Sequence, residues 1–135
     1  MFKVTKILNS GSNVPEPCRM YTTAGVAYKI GTALTLTAGK LTNATEDDIP
    51  LYIAGENAAA DQKSTLVCYP ILPNMIFETT LYGSPSTAKC GTKVLLSCSD
   101  EFADMVTPNG DEGVATIVDV RGVKKSGDKI YVRFI

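Results

Sequence analysis

The stretch Lys29-Ile-Gly-Thr-Ala-Leu-Thr-Leu-Thr-Ala-Gly-Lys-Leu-Thr42 decides the fold class of this chain. Its run of small apolar and β-branched residues, Ala33–Thr37, is typical of a β-strand. Ala38-Gly39 follows as a turn, and Lys40 with Leu41-Thr42 then closes a hairpin. The stretch therefore predicts antiparallel β-structure.

The same pattern recurs outward in both directions from this hairpin. Short apolar runs alternate with clusters of Gly, Asn, Asp, Ser and Pro, which supply the backbone angles that turns need. The only helical candidate, around Asn57, is too short to be stable. The predicted strands are Phe2–Leu8, Val26–Ile30, Ala33–Thr37, Leu51–Gly55, Thr65–Leu72, Met75–Leu81, Lys93–Ser97, Ala103–Val106, Val114–Gly122 and Lys129–Ile135.

Two further turns are indicated near the C-terminus. Asn109-Gly110 is a hairpin dipeptide, and it predicts that the strands on either side of it pair with each other. Ser126-Gly127-Asp128 leads into the last strand, in which Ile130, Val132 and Phe134 alternate with polar positions as expected for one buried face. We therefore expect an all-β fold, a single compact β-sandwich or β-barrel-like domain with an extended N-terminal arm.

A faint internal repeat suggests two similar lobes. Lys29-Ile-Gly-Thr-Ala-Leu-Thr-Leu matches Lys89-Cys-Gly-Thr-Lys-Val-Leu-Leu in its Lys, Gly, Thr and final Leu. Each copy places a glycine at a bend before a strand. The predicted organisation is an N-terminal strand and arm over residues 1–25 and a β-domain over residues 26–135, with lobes at 26–60 and 86–135.

Composition excludes several classes of partner. The formal net charge is −1 at pH 7, whereas nucleic-acid binders usually carry a basic face. No stretch reaches the roughly 18 apolar residues of a membrane span, and no apolar segment typical of a secretory signal follows the first lysines. We expect no nucleic-acid and no membrane partner. The four cysteines, Cys18, Cys68, Cys90 and Cys98, are expected to be free thiols, with two disulfides as the alternative.

The residues that are missing limit the chemistry. The chain has no histidine, so Ser-His-Asp and Cys-His nucleophile systems and histidine metal centres are excluded. No phosphate-binding glycine motif occurs. Carboxylates are grouped at Glu46-Asp47-Asp48, Asp100-Glu101 with Asp104, and Asp111-Glu112, and we expect them to be solvated loop residues. We expect no cofactor, no resident metal and no enzyme activity.

Residues 9–25 differ from the rest because they combine turn-formers and two prolines with little periodicity. Such a segment is either a surface loop or an extended arm that lies on a neighbour.

Three parts of the sequence together resemble the small head decoration (cement) proteins of tailed bacteriophages. They are Ala27 to Thr42, the segment Tyr69-Pro-Ile-Leu-Pro-Asn-Met-Ile-Phe-Glu-Thr-Thr, and the terminal Val132-Arg-Phe. The resemblance covers most of the chain from about residue 14, and its motifs are structural.

The resemblance implies a β-tulip-like domain that docks on the outer surface of an expanded capsid and clamps subunits of the major capsid protein. It also implies a homotrimer or another self-association on the shell, after synthesis in the cytoplasm of the bacterial host. An N-terminal arm would add a strand to the shell. The residues assigned to capsid binding on this basis are Val14, Pro15, Glu16, Pro17, Met20 and Tyr21.

Two alternatives remain. The first is a β-sandwich adhesion or carbohydrate-binding module of a fibre or surface appendage, which would use exposed tyrosines and loop carboxylates, with or without calcium. The second is a hydrolase with two carboxylates in one cleft and separated pKa values.

Overall fold

The structure, a computed structural model, describes residues 1–8 and 16–134 of the chain. These residues form eleven strands and one turn of 3₁₀-helix, Pro85–Thr87. The all-β prediction is confirmed, as a closed five-stranded β-barrel with additional strands. The strands are β1 Lys3–Ile7, β2 Cys18–Tyr21, β3 Ala33–Thr37, β4 Lys40–Asn43, β5 Tyr52–Ala54, β6 Thr65–Pro70, β7 Met75–Leu81, β8 Lys93–Ser99, β9 Phe102–Gly110, β10 Ala115–Asp119 and β11 Lys129–Phe134.

The second half of the chain forms the closed barrel, here called the C-barrel, with strand order β7-β11-β10-β8-β9. It closes where β9 pairs in parallel with β7, Leu81 lying opposite Val106. The other neighbouring strands of the barrel run antiparallel. Strand β1 pairs with the first half of β7, beside the closure.

The first half forms a five-stranded sheet, here called the N-sheet, with strand order β2-β6-β5-β3-β4. Its two ends meet at a single parallel bridge between Thr22, just after β2, and Leu41 of β4. Numbered within each half, both sheets have the order first, fifth, fourth, second, third. Both also join the first and third strands in parallel.

Backbone hydrogen bonds show that the two halves are equivalent in detail. Gly31 N–H donates to Ala54 O at 2.8 Å, and Gly91 N–H donates to Ile117 O at the same distance. Gly31 and Gly91 both have positive φ, of 79° and 88°. Three more bonds recur in the same relation, and the pairs are Ala54 N–Thr32 O with Ile117 N–Thr92 O, Leu51 N–Leu34 O with Val114 N–Val94 O, and Thr32 N–Lys29 O with Thr92 N–Lys89 O.

The short sequence repeat therefore lies at the same bend, at Gly31 and Gly91, in both halves. The structural repeat is longer and comprises residues 18–70 and 75–134. The similarity is visible at the bend because glycine accepts positive φ without strain. The rest of the repeat lies in strand order and register, which many apolar sequences satisfy. The division into an arm and a β-domain stays a prediction.

The buried side chains form two clusters that follow the period of two along the strands. Leu34, Leu41 and Leu66 belong to a cluster inside the N-sheet. Ala33 and Ile53, which lie opposite each other on the other face, join the larger cluster of the C-barrel. The larger cluster therefore includes residues of both halves, in contact across the outer face of the N-sheet.

Three aromatic rings of the larger cluster pack against one another. Phe77 meets Phe134 edge-on with ring centroids 5.3 Å apart, and Phe2 packs against the same Phe134 at 5.4 Å. All three are at least 96% buried. Aromatic pairs at these separations add stability beyond the apolar area that they bury. The residue that immediately precedes β1 is thus part of the core.

Two sequence predictions about strands are wrong. Val26–Ile30 is not a strand, because only Tyr28 forms a bridge, to Ala58, before the bend at Gly31. Conversely, β2 forms within residues 9–25, where no strand was predicted. The strand-like composition of Val26–Ile30 comes partly from Tyr28, which is buried although it is not in a strand. It is a core residue whose hydroxyl donates to Leu41 O at 2.7 Å.

The hairpin predicted at Asn109-Gly110 is also wrong. Gly110 ends β9, but β10 pairs with β8 and β11 instead of β9. Val114 N–H donates to Val94 O at 2.8 Å and so directs the chain to β8. A side chain at Gly113 would overlap the carbonyl oxygen of Val94. The glycines here allow a close approach of two strands in addition to a turn.

The hairpin at Ala38-Gly39 is confirmed, with Thr37 opposite Lys40. Both turn residues have positive φ, 52° and 77°, which is the type I′ geometry. Ala38 is strained there because its Cβ crowds the backbone.

We expect Ala38→Asn to raise the free energy of unfolding by about 0.5–1 kcal/mol, measured by urea denaturation. Ala38→Val, which suits this geometry least, should lower it. Equal effects of the two variants would contradict the turn assignment.

Candidate interface at the edge of strand β2

The segment assigned to partner binding ends in β2, at the edge of the N-sheet. Val14 and Pro15 lie outside the described residues. Glu16 and Pro17 are exposed and precede β2. Met20 is half-buried against the core of the N-sheet, whereas Tyr21 is 67% exposed. The assignment of these residues to a partner stays a prediction.

Strand β2 is held from one side by β6. Thr22 N–H donates to Ser64 O at 3.1 Å. Because backbone groups alternate along an antiparallel strand, this bond places Met20 among the residues that point to β6. The N–H and C=O groups of Arg19 and the N–H of Tyr21 then point to the opposite edge, whereas the C=O of Tyr21 faces β4 at the Thr22–Leu41 bridge. This edge, over residues 19–21, is called the β2 edge below.

Within residues 1–8 and 16–134, no strand pairs with the β2 edge ahead of the Thr22–Leu41 bridge. The equivalent edge of β7 is covered, because β1 lies along it with Lys3 opposite Glu78. Superposing the register of the two halves puts Arg19 in the place of Glu78. An uncovered strand edge is a template for pairing with another chain.

The charge on the β2 edge differs from that on its counterpart. Lys3 faces an acidic residue across β1 and β7, and opposite charges across a strand pair are favourable. Arg19 takes the position of Glu78 in the N-sheet, so it would lie opposite a residue of any strand added to the β2 edge. A strand that carries an acidic residue opposite Arg19 therefore matches this edge, and β1 with its lysines does not.

Proline limits how far the β2 edge extends. Pro17 lacks a backbone N–H, and alternation would direct that group to the open edge. Prolines of this kind stop uncontrolled edge-to-edge pairing. The open part is thus short, and any added strand gains only a few hydrogen bonds here.

The C-terminal end of the β2 edge is anchored by side chains. Thr22 Oγ1 donates to Lys63 O at 2.6 Å, and Thr23 Oγ1 donates to Leu41 O at 2.7 Å. Thr23 N–H donates to the hydroxyl of Tyr28 at 2.9 Å. These bonds fix the end of β2 to β4 and to the residues just before β6.

A shallow depression lies beside the exposed ring of Tyr21. It is lined by Tyr21, Thr22, Ala24, Lys40, Asp61, Lys63 and Ser64. Asp61 accepts the Gly25 N–H at 2.8 Å, which holds it in place. The two lysines give the depression a basic side, and a tyrosine at its rim is a frequent anchor in interfaces.

Arg19 is also part of a charged group on the outer face. Glu56 accepts from Lys63 Nζ at 2.6 Å and from Val67 N–H at 3.0 Å. The hydrogen bonds from Lys63 and Val67, with the nearby charge of Arg19, hold the pKa of Glu56 below its ordinary value. Lys63 is therefore partly neutralised by Glu56, and Arg19 lies near enough to interact with the same carboxylate.

The acidic groups named from the sequence are dispersed. Asp48 accepts from Thr45 N–H and Oγ1 at 2.8 and 2.9 Å and so caps its own turn. Asp104 Oδ2 lies 3.4 Å from Lys29 Nζ and forms an ion pair with it. The pairs Asp100-Glu101 and Asp111-Glu112 are exposed. The expectation that the protein has no catalytic centre stays a prediction.

In the part of the chain that the structure describes, no group of three or more His, Cys, Asp or Glu side chains is arranged to hold a metal ion. The same residues contain no helix with the length and apolarity of a membrane crossing.

Sequence reasoning missed Arg19, Lys40, Asp61 and Lys63. A signal for Arg19 was present, because Cys18 and Met20 alternate with Arg19 and Tyr21 over four residues. The other three could not be found, since they reach Tyr21 from distant segments.

No protein-family model matches the sequence, and no curated protein is similar to it at a significant level.

Proposed function

We propose that this protein is a structural virion protein that binds the outer surface of an expanded bacteriophage capsid. There it stabilises contacts between subunits of the major capsid protein, and it has no catalytic role. The observation that carries the proposal is the open β2 edge, presented on a rigid β-domain and equivalent to an edge that is covered in the other half of the same chain. The resemblance of the sequence to phage decoration proteins supplies the partner.

The proposed contact is the addition of a capsid strand to the β2 edge. Backbone hydrogen bonds would give affinity, and Arg19, Tyr21 and the adjoining depression would give selectivity for a strand with an acidic residue. Glu16 and Pro17 precede the edge and would flank the added strand, and Val14 and Pro15 stay predicted contacts.

The shortness of the edge fits a protein that bridges several subunits. A few hydrogen bonds give modest affinity at each contact. When a second contact forms on the same shell, it is intramolecular, and the combined affinity rises without new chemistry. Self-association, as a homotrimer or another oligomer, would multiply the contacts further. A net charge near zero also limits indiscriminate attraction to nucleic acid.

The test is co-sedimentation of the purified protein with empty expanded capsids and with unexpanded procapsids of the phage that encodes it. We expect saturable binding to expanded capsids, in a fixed number of copies per shell, and weak binding to procapsids. Failure to co-sediment under any salt or pH condition would contradict the proposal. Binding to glycans that is lost on chelation would instead favour the adhesion module.

A further inference from the structure

Two cysteines face each other across the same strand pair that carries the β2 edge. Cys18 on β2 is directly opposite Cys68 on β6, and their Sγ atoms are 3.6 Å apart. Both side chains lie on the core side of the N-sheet, where Cys68 is fully buried and Cys18 is half-buried. All four cysteines are free thiols in this structure.

The backbone geometry suits a covalent link. Cys18 has the same orientation as Met20 and Thr22, so Cys18 and Cys68 form a hydrogen-bonded pair, whose Cα atoms lie about 5.5 Å apart. Disulfides span Cα separations of about 4.4–6.8 Å. Bond formation therefore requires rotation of the side chains and little displacement of the strands.

We propose that Cys18 and Cys68 are a modification site and form a disulfide when the protein meets a low-molecular-weight disulfide such as oxidised glutathione. The proposal is independent of capsid binding. It predicts that a chain kept as free thiols in a reducing compartment acquires a covalent β2–β6 link after transfer to an oxidising one.

The reaction has two balanced steps. The thiolate of Cys18, the more accessible of the pair, attacks one sulfur of oxidised glutathione and releases glutathione thiolate. The Cys68 thiolate then attacks the Cys18 sulfur of the mixed disulfide and releases the second glutathione. Two protein thiols are oxidised, one glutathione disulfide is reduced to two thiols, and the two protein protons pass to solvent or to the glutathione thiolates.

The second step is expected to be slow near neutral pH. Burial and the hydrogen bond with Cys18 raise the pKa of the Cys68 thiol to about 12, so that little of it is thiolate. Tyr52 of β5 lies beside the pair, and burial raises its pKa as well, so it does not supply a nearby charge at neutral pH. The pair should therefore stay as thiols during brief exposure to an oxidant and form the disulfide only during prolonged exposure.

The link would tie β2 to β6 close to the start of β2. The N-sheet is closed beyond β2 by a single bridge, so β2 depends on β6 for its place. The closed loop spans 50 positions of the chain, and long loops gain most from a cross-link. Oxidation should therefore raise the midpoint of thermal unfolding, by roughly 10 °C.

The other cysteines provide the control background. Cys90 Sγ contacts Val118 O, Cys98 Sγ contacts Ala44 O, and both residues are exposed. The test uses the full chain with Cys90→Ser and Cys98→Ser, incubated for hours with oxidised and reduced glutathione. Free thiols are then counted under denaturing conditions, and peptides are mapped by mass spectrometry. Cys18→Ser in the same background is the matched variant.

We expect both thiols of the background protein to be oxidised without any covalent link between chains. Peptide mapping should then give a Cys18–Cys68 cross-linked peptide. The Cys18→Ser variant should keep its remaining thiol over the same period. Two thiols retained at equilibrium, or a glutathione adduct on Cys18 that does not resolve, would overturn the proposal. So would a covalent dimer as the main product.

Discussion

Phe77→Ala is expected to lower the free energy of unfolding by about 3–5 kcal/mol, the usual cost of removing a buried phenylalanine. Phe77 is 1% exposed and meets Phe134 edge-on. It lies on β7, which pairs with both β1 and β11, so the cavity would open where three strands meet. The measurement is urea denaturation followed by circular dichroism.

The matched control for Phe77 is Tyr82→Ala. Tyr82 follows the same strand but is 58% exposed, and its replacement should change the free energy of unfolding by less than about 0.5 kcal/mol. A loss below about 1 kcal/mol for Phe77→Ala would show that the shared core is not built as described.

Arg19→Pro is expected to weaken binding to expanded capsids strongly while leaving the fold intact. Proline removes the N–H that points to the open side and leaves the bonds to β6 in place, since those involve Cys18, Met20 and Thr22. We expect at least a tenfold (about 1.4 kcal/mol) loss of affinity per contact, and more on a shell where contacts act together. Co-sedimentation measures the loss.

Two variants separate the possible causes. Arg19→Ala keeps the N–H and removes the cation, so it should weaken binding less than Arg19→Pro does. Met20→Pro removes an N–H that points to β6 and should destabilise the protein itself. Unchanged capsid binding by a folded Arg19→Pro protein would rule out strand addition at the β2 edge. Deletion of residues 1–20 is a poorer test, because it also removes Phe2 from the core.

Much of the fold could be predicted from local sequence. Ala33–Thr37 and Met75–Leu81 coincide with β3 and β7, because β-branched and apolar residues between turn-formers suit few other structures. The turn at Ala38-Gly39 was predictable since its backbone angles demand particular residues.

Strand pairing could not be predicted in the same way. Asn109-Gly110 has the chemistry of a hairpin turn, yet β10 pairs with β8 because Gly113 allows close contact with Val94. Val26–Ile30 has the composition of a strand because Tyr28 is buried by distant residues. In both cases, long-range packing overrides local preference.

The candidate interface was located only in part. Tyr21 and Pro17 were assigned to partner binding from the resemblance and from their aperiodic context. The openness of the edge follows from a comparison of β2 with β7, which requires the register of both sheets. The pairing of Cys18 with Cys68 depends on register as well, since fifty positions separate them and four cysteines allow several pairings.

Binding of this protein to the outside of a phage shell is tested most directly by a cryo-EM reconstruction of expanded capsids saturated with it. We predict density for the β-domain on the outer surface, with a capsid strand added alongside Arg19 to Tyr21. A bare outer surface at saturating protein concentration would contradict the proposed function. Density that attaches through another face, with the β2 edge open to solvent, would contradict the proposed interface.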